Sequence, residues 1–180
     1  MKPVYGELVE NRVIVWNIEN SRRLYSEGYF GKPLGVAKPK GKDFDAPLIL
    51  DLIEAYYLVR TKMLRVRRAG RRVGVEQLRS KCLKEYVGFR EKYTVYHHLR
   101  SLGYVVTPGI KFGCDFAVYR HGPGIDHAPF LIQVMKPSDE ITATHMVLSG
   151  RLATTVRKQF LIASVSGNEP TYLAFDWWRA

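Results

Sequence analysis

Three side chains in the second half of the sequence carry a phenol, an imidazole and an ammonium group. Tyr119 ends the run FGCDFAVY, His127 follows eight residues later across a Gly-Pro-Gly turn, and Lys158 ends the run RLATTVRK. A phenol and an imidazole can transfer protons, and an ammonium group can stabilise developing negative charge. None of the three is a carboxylate of the kind that holds a divalent metal. Together they indicate acid–base chemistry that needs no metal ion.

Each of these residues taken alone has a simpler explanation. A tyrosine at a strand end usually has a solvated hydroxyl, and a lysine near a helix C-terminus is stabilised by the helix dipole. A histidine beside Asp126 is commonly a surface residue. His121 lies in the same loop as His127 and is a rival for its role. The remaining histidines are expected on helices with structural roles: His97, His98 and His145.

Further motifs extend over most of the chain. They are GYFGKP at 28–33, LIEAYYL at 52–58, KYTVY at 92–96, LRSLGY at 99–104 and GIKFG at 109–113. With the runs that end at Tyr119 and Lys158, they resemble the tRNA-splicing endonuclease family of archaeal type, in the family's order. The resemblance implies a small N-terminal α/β domain at 1–87 and a catalytic domain at 88–180. The second domain is expected to have a central mixed sheet flanked by helices, like that of restriction endonucleases.

The resemblance also implies the reaction, which is cleavage of a precursor tRNA that carries a bulge–helix–bulge motif. RNA supplies its own 2′-OH nucleophile, so a base, an acid and a positive charge at the phosphate suffice. By resemblance Tyr119 is the base, His127 the acid and Lys158 the electrostatic stabiliser, giving a 2′,3′-cyclic phosphate and a 5′-OH. No metal and no cofactor is expected. A free phenol has a pKa of about 10, and we expect cations such as Lys158 or Arg120 to lower it.

RNA contacts are expected outside these three residues. The family holds a bulged base between two flat side chains. Arg151 falls on one of those positions, two helical turns before Lys158, and Trp177 is the candidate for the other, although it could equally fill a core or an interface. Lys38, Lys40 and Lys42 lie in a loop that resembles an RNA-contacting loop of the crenarchaeal branch. A basic segment could contact phosphates or form a solvated face: Arg60, Lys62, Arg65, Arg67, Arg68, Arg71 and Arg72.

Composition agrees with an anionic partner. The chain has 28 Lys and Arg against 17 Asp and Glu, so its net charge of +11 favours a polyanion, although charge can also serve solubility alone.

Its two cysteines, Cys82 and Cys114, form no CxxC pair, which argues against a zinc site and leaves a single bridge between them open. We expect a cytoplasmic protein, because no secretory leader and no apolar run of about 20 residues is visible.

Hydrophobic periodicity and turn residues predict the elements. Asp45 is expected to cap a helix with Pro47 in its first turn, and that helix continues to Val59. Further helices are expected at 75–86, 92–101 and 142–156, and strands at 8–16, 104–107, 115–119, 130–134, 159–165 and 171–176.

Assembly is predicted from the substrate. Two cuts in one precursor need two active sites at a fixed separation, so a two-fold assembly is expected. In the family, C-terminal strands pair across subunits, and an acidic hairpin loop of one subunit docks into another. The corresponding hairpin here has only Glu169 as an acid. We therefore predict an α2β2 heterotetramer with a related non-catalytic chain.

Two other functions fit part of the sequence. A metal-dependent nuclease with a similar sheet would use Asp115 and a Glu-x-Lys triplet on the next strand, but that strand has Gln133, and Lys136 lies one place late. A non-catalytic RNA-binding subunit would lack the three reactive residues, and their presence favours an enzyme.

Overall fold

The chain folds into two compact units, each built around one sheet. A computed structural model describes residues 3–36, 39, 41–144, 146–147, 150–151 and 158–175. The units are Met1–Phe89 and Arg90–Ala180. Both sheets contain parallel and antiparallel pairs, which confirms the mixed α/β class. The bounds of independently folding domains, 1–87 and 88–180, stay a prediction.

The first unit contains a six-stranded sheet. Its strands are β1 (Val4–Val9), β2 (Arg12–Val15), β3 (Lys32–Pro33), β4 (Leu48–Asp51), β5 (Leu64–Arg68) and β6 (Arg71–Val73), in the order β3-β4-β2-β1-β5-β6. β1 and β5 are parallel, whereas the other neighbours are antiparallel. The single strand predicted at 8–16 is wrong, because the chain turns at Glu10, whose φ is 49°, and forms the β1–β2 hairpin.

The helices of this unit are α1 (Ile18–Gly28), α2 (Leu52–Arg60) and α3 (Val75–Glu85). The prediction that Asp45 caps α2 is wrong, because Leu48 and Leu50 alternate into the core as part of β4. α2 begins only after Asp51, whose carboxylate accepts a hydrogen bond from the Ile53 N–H. Glu54 accepts one from the Asp51 N–H in return, which completes a capping box. The helix predicted at 75–86 is confirmed as α3.

The second unit contains α4 (Phe89–Ser101) and a five-stranded sheet. Its strands are β7 (Val105–Pro108), β8 (Phe116–Tyr119), β9 (Phe130–Met135), β10 (Gln159–Ser166) and β11 (Glu169–Phe175), in the order β11-β10-β9-β8-β7. Among these described strands, only the β9–β10 pair is parallel. The strands predicted in this half are confirmed with small shifts of their ends. Of the helix predicted at 142–156, the described residues 143–144, 146–147 and 150–151 are helical, and the others lie outside the described residues.

Both cysteines are free thiols buried in the cores of their units. Cys82 lies on α3 in the first unit and Cys114 precedes β8 in the second. The possibility of a bridge between them, which the sequence left open, is therefore not realised. No helix within the described ranges has both the length and the apolar character that crossing a bilayer requires.

Candidate active site

Strand register brings Tyr119, His127 and Lys158 to one end of the second sheet. Val118 is paired with Phe130 across β8 and β9, and Phe130 is paired with Gln159 across β9 and β10. Tyr119 follows Val118 and Lys158 precedes Gln159, so these two residues lie on either side of the segment that leads into β9. The segment between them runs from His127 through Ala128 and Pro129 into β9, and its position is fixed where the Gln159 N–H donates to the Pro129 carbonyl at 2.8 Å.

One apolar cluster anchors all three positions. Its buried members are Cys114, Ala117, Ala128, Leu131, Phe160 and Ile162, and the rings of Phe112 and Tyr119 pack against it. Tyr119 is thus itself part of the packing, His127 precedes the buried Ala128, and Lys158 lies two residues before the buried Phe160. Because a close-packed core leaves little room for shifts, the three side chains originate from fixed points of the backbone.

Lys158 is held by two contacts. Its Nζ donates a hydrogen bond to the Ala128 carbonyl at 2.8 Å, directly beside His127. The same Nζ lies 5.6 Å from the centre of the Phe112 ring. Burial lowers the pKa of Lys158, and the negative charge of Asp126 opposes that shift. An ammonium group that is partly desolvated in this way interacts more strongly with an anion than a fully hydrated one.

Asp126 organises the loop between β8 and β9. Its carboxylate accepts hydrogen bonds from the backbone N–H groups of Arg120, His121 and Gly122 at 2.9, 3.2 and 2.8 Å. Burial acts to raise the pKa of Asp126, but these hydrogen bonds and His121 outweigh it, so the pKa lies below its ordinary value. The carboxylate closes the loop and leaves His127 exposed at its end.

Asp126 is the functional candidate that sequence reasoning missed. The signal was present, because an aspartate that follows a Gly-Pro-Gly turn often hydrogen-bonds to the backbone of its own loop. His121, the rival for the acid role, is exposed and donates its backbone N–H to this carboxylate. The structure therefore gives His121 a part in closing the loop, whereas His127 adjoins the lysine contact at Ala128.

The pKa of Tyr119 contradicts one expectation. Burial raises it above its ordinary value, a hydrogen bond with the Thr107 side chain acts against that, and Asp126 raises it further. The prediction that nearby cations lower this pKa is wrong for the free chain. The ring packs against the apolar cluster, and the charge that acts on the phenol is the Asp126 carboxylate. Tyr119 is consequently a neutral phenol at rest.

The expected RNA-binding residues are only partly described. Arg151 lies in a helical segment and is exposed, but the residues that link it to Lys158 are outside the described part, so their shared face stays a prediction. Lys42 donates from Nζ to the Ser26 carbonyl at 3.1 Å and lies 5.2 Å from the Tyr29 ring centre. The other three candidates lie outside the described residues: Lys38, Lys40 and Trp177.

Asp115, the first ligand that a metal-dependent nuclease would need, has structural partners. Its carboxylate pairs with the Lys92 ammonium at 2.7 Å and accepts hydrogen bonds from the Gln133 amide and the Val134 N–H, each at 2.8 Å. These contacts tie α4 to β9. Among the described residues, no three His, Cys, Asp or Glu side chains are grouped so that they could hold a metal ion.

Comparison with known proteins identifies the family. The model of the tRNA intron endonuclease catalytic C-terminal domain matches residues 89–172, and that of its N-terminal domain matches residues 4–79. The chain belongs to the tRNA intron endonuclease family. This confirms the resemblance drawn from the sequence motifs.

Named relatives extend the match over nearly the whole chain. A tRNA-splicing endonuclease of Hyperthermus butylicus is 46% identical over 170 residues, which cover 92% of this chain and 93% of the relative. One from Sulfurisphaera tokodaii is 39% identical over 175 residues, covering 96% and 97%. One from Pyrobaculum aerophilum is 43% identical over 173 residues, covering 93% and 94%. The match to the family's catalytic domain, at residues 89–172, includes Tyr119, His127 and Lys158.

Proposed function

We propose that this chain is a tRNA-splicing endonuclease subunit that cleaves precursor tRNA at a bulge–helix–bulge motif. Membership of the family and near full-length similarity to tRNA-splicing endonucleases support the activity. The observation that carries the mechanism is the shared row at one end of the second sheet, where Tyr119 and Lys158 flank the segment that follows His127. We expect the reaction to take place in the cytoplasm.

In the proposed reaction the substrate's 2′-oxygen attacks the adjacent phosphorus. Tyr119, as phenolate, takes the 2′-OH proton; the new O2′–P bond forms and the P–O5′ bond breaks. His127 donates a proton to the departing 5′-oxygen, so the products are a 2′,3′-cyclic phosphate and a 5′-OH. Lys158 lies beside the phosphate oxygens while the fifth oxygen joins phosphorus, which is where positive charge lowers the barrier.

The raised pKa of Tyr119 limits the fraction of this residue that is present as the phenolate base. The phenolate is a minor form near neutral pH. Below the pKa, its fraction rises about tenfold for each unit by which the pH increases. A bound phosphate brings additional negative charge, which disfavours the phenolate further.

We further propose that two copies of this chain assemble with two copies of a related non-catalytic chain. β11 lies at the edge of the second sheet, and within the described residues it pairs only with β10. Its exposed residues include Leu173, 49% of whose surface is accessible. An unpaired strand of this kind can add a strand from another subunit. The β10–β11 turn carries Glu169 as its single acid, which suggests that an acidic docking loop comes from the companion chain.

The test uses a bulge–helix–bulge RNA with this chain alone and with a candidate companion, in the presence of a chelator. We expect cleavage in chelator with cyclic-phosphate ends. We also expect losses of several orders of magnitude in single-turnover rate for Tyr119→Phe, His127→Ala and Lys158→Ala, with RNA binding largely retained. Unchanged cutting in all three variants would show that the assigned roles are wrong, and complete cleavage by this chain alone would refute the heterotetramer.

A further inference from the structure

One face of the first sheet carries a row of arginines. On β1 and β5 alternate residues point away from the core, so Tyr5, Arg65 and Arg67 are exposed while Val4, Leu64 and Val66 are buried. Strand register places Tyr5 beside Arg65, and Arg67 beside Arg72 of β6. We call Tyr5, Arg65, Arg67 and Arg72 the arginine face. It is formed by the segment whose basic residues the sequence left as either phosphate contacts or a solvated surface.

Tyr5 holds two of these arginines in place. Nη1 of Arg65 donates to the Tyr5 hydroxyl at 3.4 Å, and the Arg67 guanidinium lies 4.4 Å from the centre of the same ring. The hydrogen bond from Arg65 is the main cause that lowers the pKa of Tyr5. A guanidinium that is already positioned loses less side-chain entropy when it binds an anion. An ordinary solvated arginine has no such support.

The arginine face is not neutralised by acids. Elsewhere in the described structure, arginines such as Arg12 and Arg22 form ion pairs with aspartates. Within the described residues, no carboxylate lies within ion-pair distance of Arg65, Arg67 or Arg72. The acid nearest in the register is Glu7, which is paired with Arg67 along the strands and accepts a hydrogen bond from Trp16. Positive charge is therefore concentrated on this edge of the sheet, and the end of the same hairpin exposes two more arginines outside the arginine face: Arg68 and Arg71.

We propose that the arginine face binds the phosphate backbone of the precursor tRNA at phosphates other than the two that are cut. This inference rests on the proposed function, which supplies the RNA. Guanidinium groups match phosphate geometry with two parallel hydrogen bonds, and fixed neighbouring guanidiniums match successive phosphates. The face therefore contributes affinity and orientation for the RNA, with no part in the chemistry at Tyr119, His127 and Lys158.

The test compares two variants with the same change in charge. Arg65→Gln with Arg67→Gln removes two positive charges from the face. Arg79→Gln with Lys84→Gln removes two from the exposed side of α3 and serves as the control. The dissociation constant for precursor tRNA is measured in the cleavage-competent assembly over a range of salt concentrations, and thermal melting confirms that both variants fold.

The expected result follows from counterion release. Each lost phosphate contact reduces the slope of log K against log salt by about 0.9, so two contacts reduce it by about 1.8. Between 50 and 200 mM salt the parent should lose about 12-fold more affinity than the face variant. The α3 control should keep the parent's slope. The cleavage rate with saturating RNA should stay unchanged in both, because neither variant alters the reacting groups.

A third variant, Tyr5→Leu, separates positioning from charge. It removes the hydrogen bond and the ring but keeps every arginine, so we expect weaker binding at all salt concentrations with a nearly unchanged slope. Cleavage of the precursor by the parent assembly tests the proposed function separately. Equal salt slopes for the face variant and its α3 control would refute the proposal that the arginine face binds phosphates. Loss of subunit association in the face variant, without a change in slope, would also overturn it and would identify a protein interface.

Discussion

The Asp126 carboxylate offers the most informative single perturbation of the site. One of its oxygens accepts from the N–H groups of Arg120 and His121, and the other accepts from that of Gly122. Asp126→Asn keeps the size of the side chain but leaves one acceptor oxygen and no charge. The NH2 group must therefore face at least one backbone N–H, which pushes the loop away from its closed form.

The cost of this change can be estimated from the contacts. A hydrogen bond to a charged group contributes about 1.5–3 kcal/mol when it is buried. Because this loop is open to solvent, water can replace part of the lost bonding, and we expect a total of about 1–3 kcal/mol. A displacement of about 1 Å at His127 can reduce catalysis by about 10²-fold. We therefore predict that Asp126→Asn lowers the single-turnover cleavage rate by about 10- to 100-fold.

An opposite electrostatic effect accompanies the substitution. Asp126 raises the pKa of Tyr119, so its removal increases the fraction of phenolate. Asp126 is the smallest of the three influences on this pKa, after burial and the Thr107 hydrogen bond, so the gain is modest. The loss of positioning exceeds this gain, so the net effect is a decrease.

The assay is single-turnover cleavage of a bulge–helix–bulge RNA by the cleavage-competent assembly. Asp139→Asn is the matched control, because Asp139 accepts from the Lys136 N–H at 2.7 Å in a loop beyond the opposite end of β9. The control should retain the parent rate. A rate for Asp126→Asn equal to or above that of the parent, in a protein that melts normally, would refute the role given to loop closure.

Four further results are expected. Lys158→Arg should move the alkaline decline of the cleavage rate to higher pH, since burial lowers the pKa of Lys158 and an arginine stays charged; an unmoved decline would mean that another group sets it. Because the pKa of Asp126 is lowered in the folded chain, the stability that its carboxylate contributes should be lost as pH falls below about 4. Asp126→Asn should reduce that loss in melting experiments. Glu54→Ala should destabilise the first unit by about 2–5 kcal/mol in denaturant unfolding, because it leaves the Gly31 and Asp51 N–H groups without their acceptor; a change under about 0.5 kcal/mol would contradict this. Both cysteines should resist a thiol reagent at pH 8 in the folded chain and react after unfolding, because burial raises the pKa of Cys82 to about 12 and that of Cys114 to about 11.

The second unit was largely predictable because its signals are local. The apolar run of β10 ends before Gly167, whose φ of 66° suits a hairpin turn, and β11 follows at once. α4 ends before Gly103, which also has a positive φ. The spacing of Tyr119, His127 and Lys158 pointed to one site, and strand register places their backbone positions at one end of the sheet, which no sequence spacing can show.

The start of α2 was predicted wrongly because two patterns overlap. Leu48 fits both the helical spacing that continues to Val59 and the alternation of a strand, and Pro47 favoured a helix start. Pairing of β4 with β2 decides between them, and that pairing is a long-range interaction. The spacing of Asp51 and Glu54, which is that of a capping box, was the local signal for the true start.

The pKa of Tyr119 was predicted in the wrong direction for a different reason. Arg120 is adjacent in sequence, and proximity in sequence suggested a cationic environment. Packing buries the Tyr119 ring and brings Asp126 close through the closed loop. Burial and the sign of the nearest charge are properties of the folded chain, so they were not accessible from residue types alone.

The pairing of β3 with β4 has a consequence for how members of this family can diverge. Pro33 is paired with Leu48, and the Leu34 N–H donates to the Pro47 carbonyl at 2.8 Å, so the segment that includes Lys38, Lys40 and Lys42 leaves and re-enters the sheet at adjacent points. Doubling the length of such a closed segment costs only about 0.6 kcal/mol of chain entropy. Insertions and new charges can therefore accumulate there over evolutionary time while the sheet beneath stays intact. Under the proposal that these lysines contact RNA, such changes would alter the range of accepted RNAs independently of the cleavage chemistry.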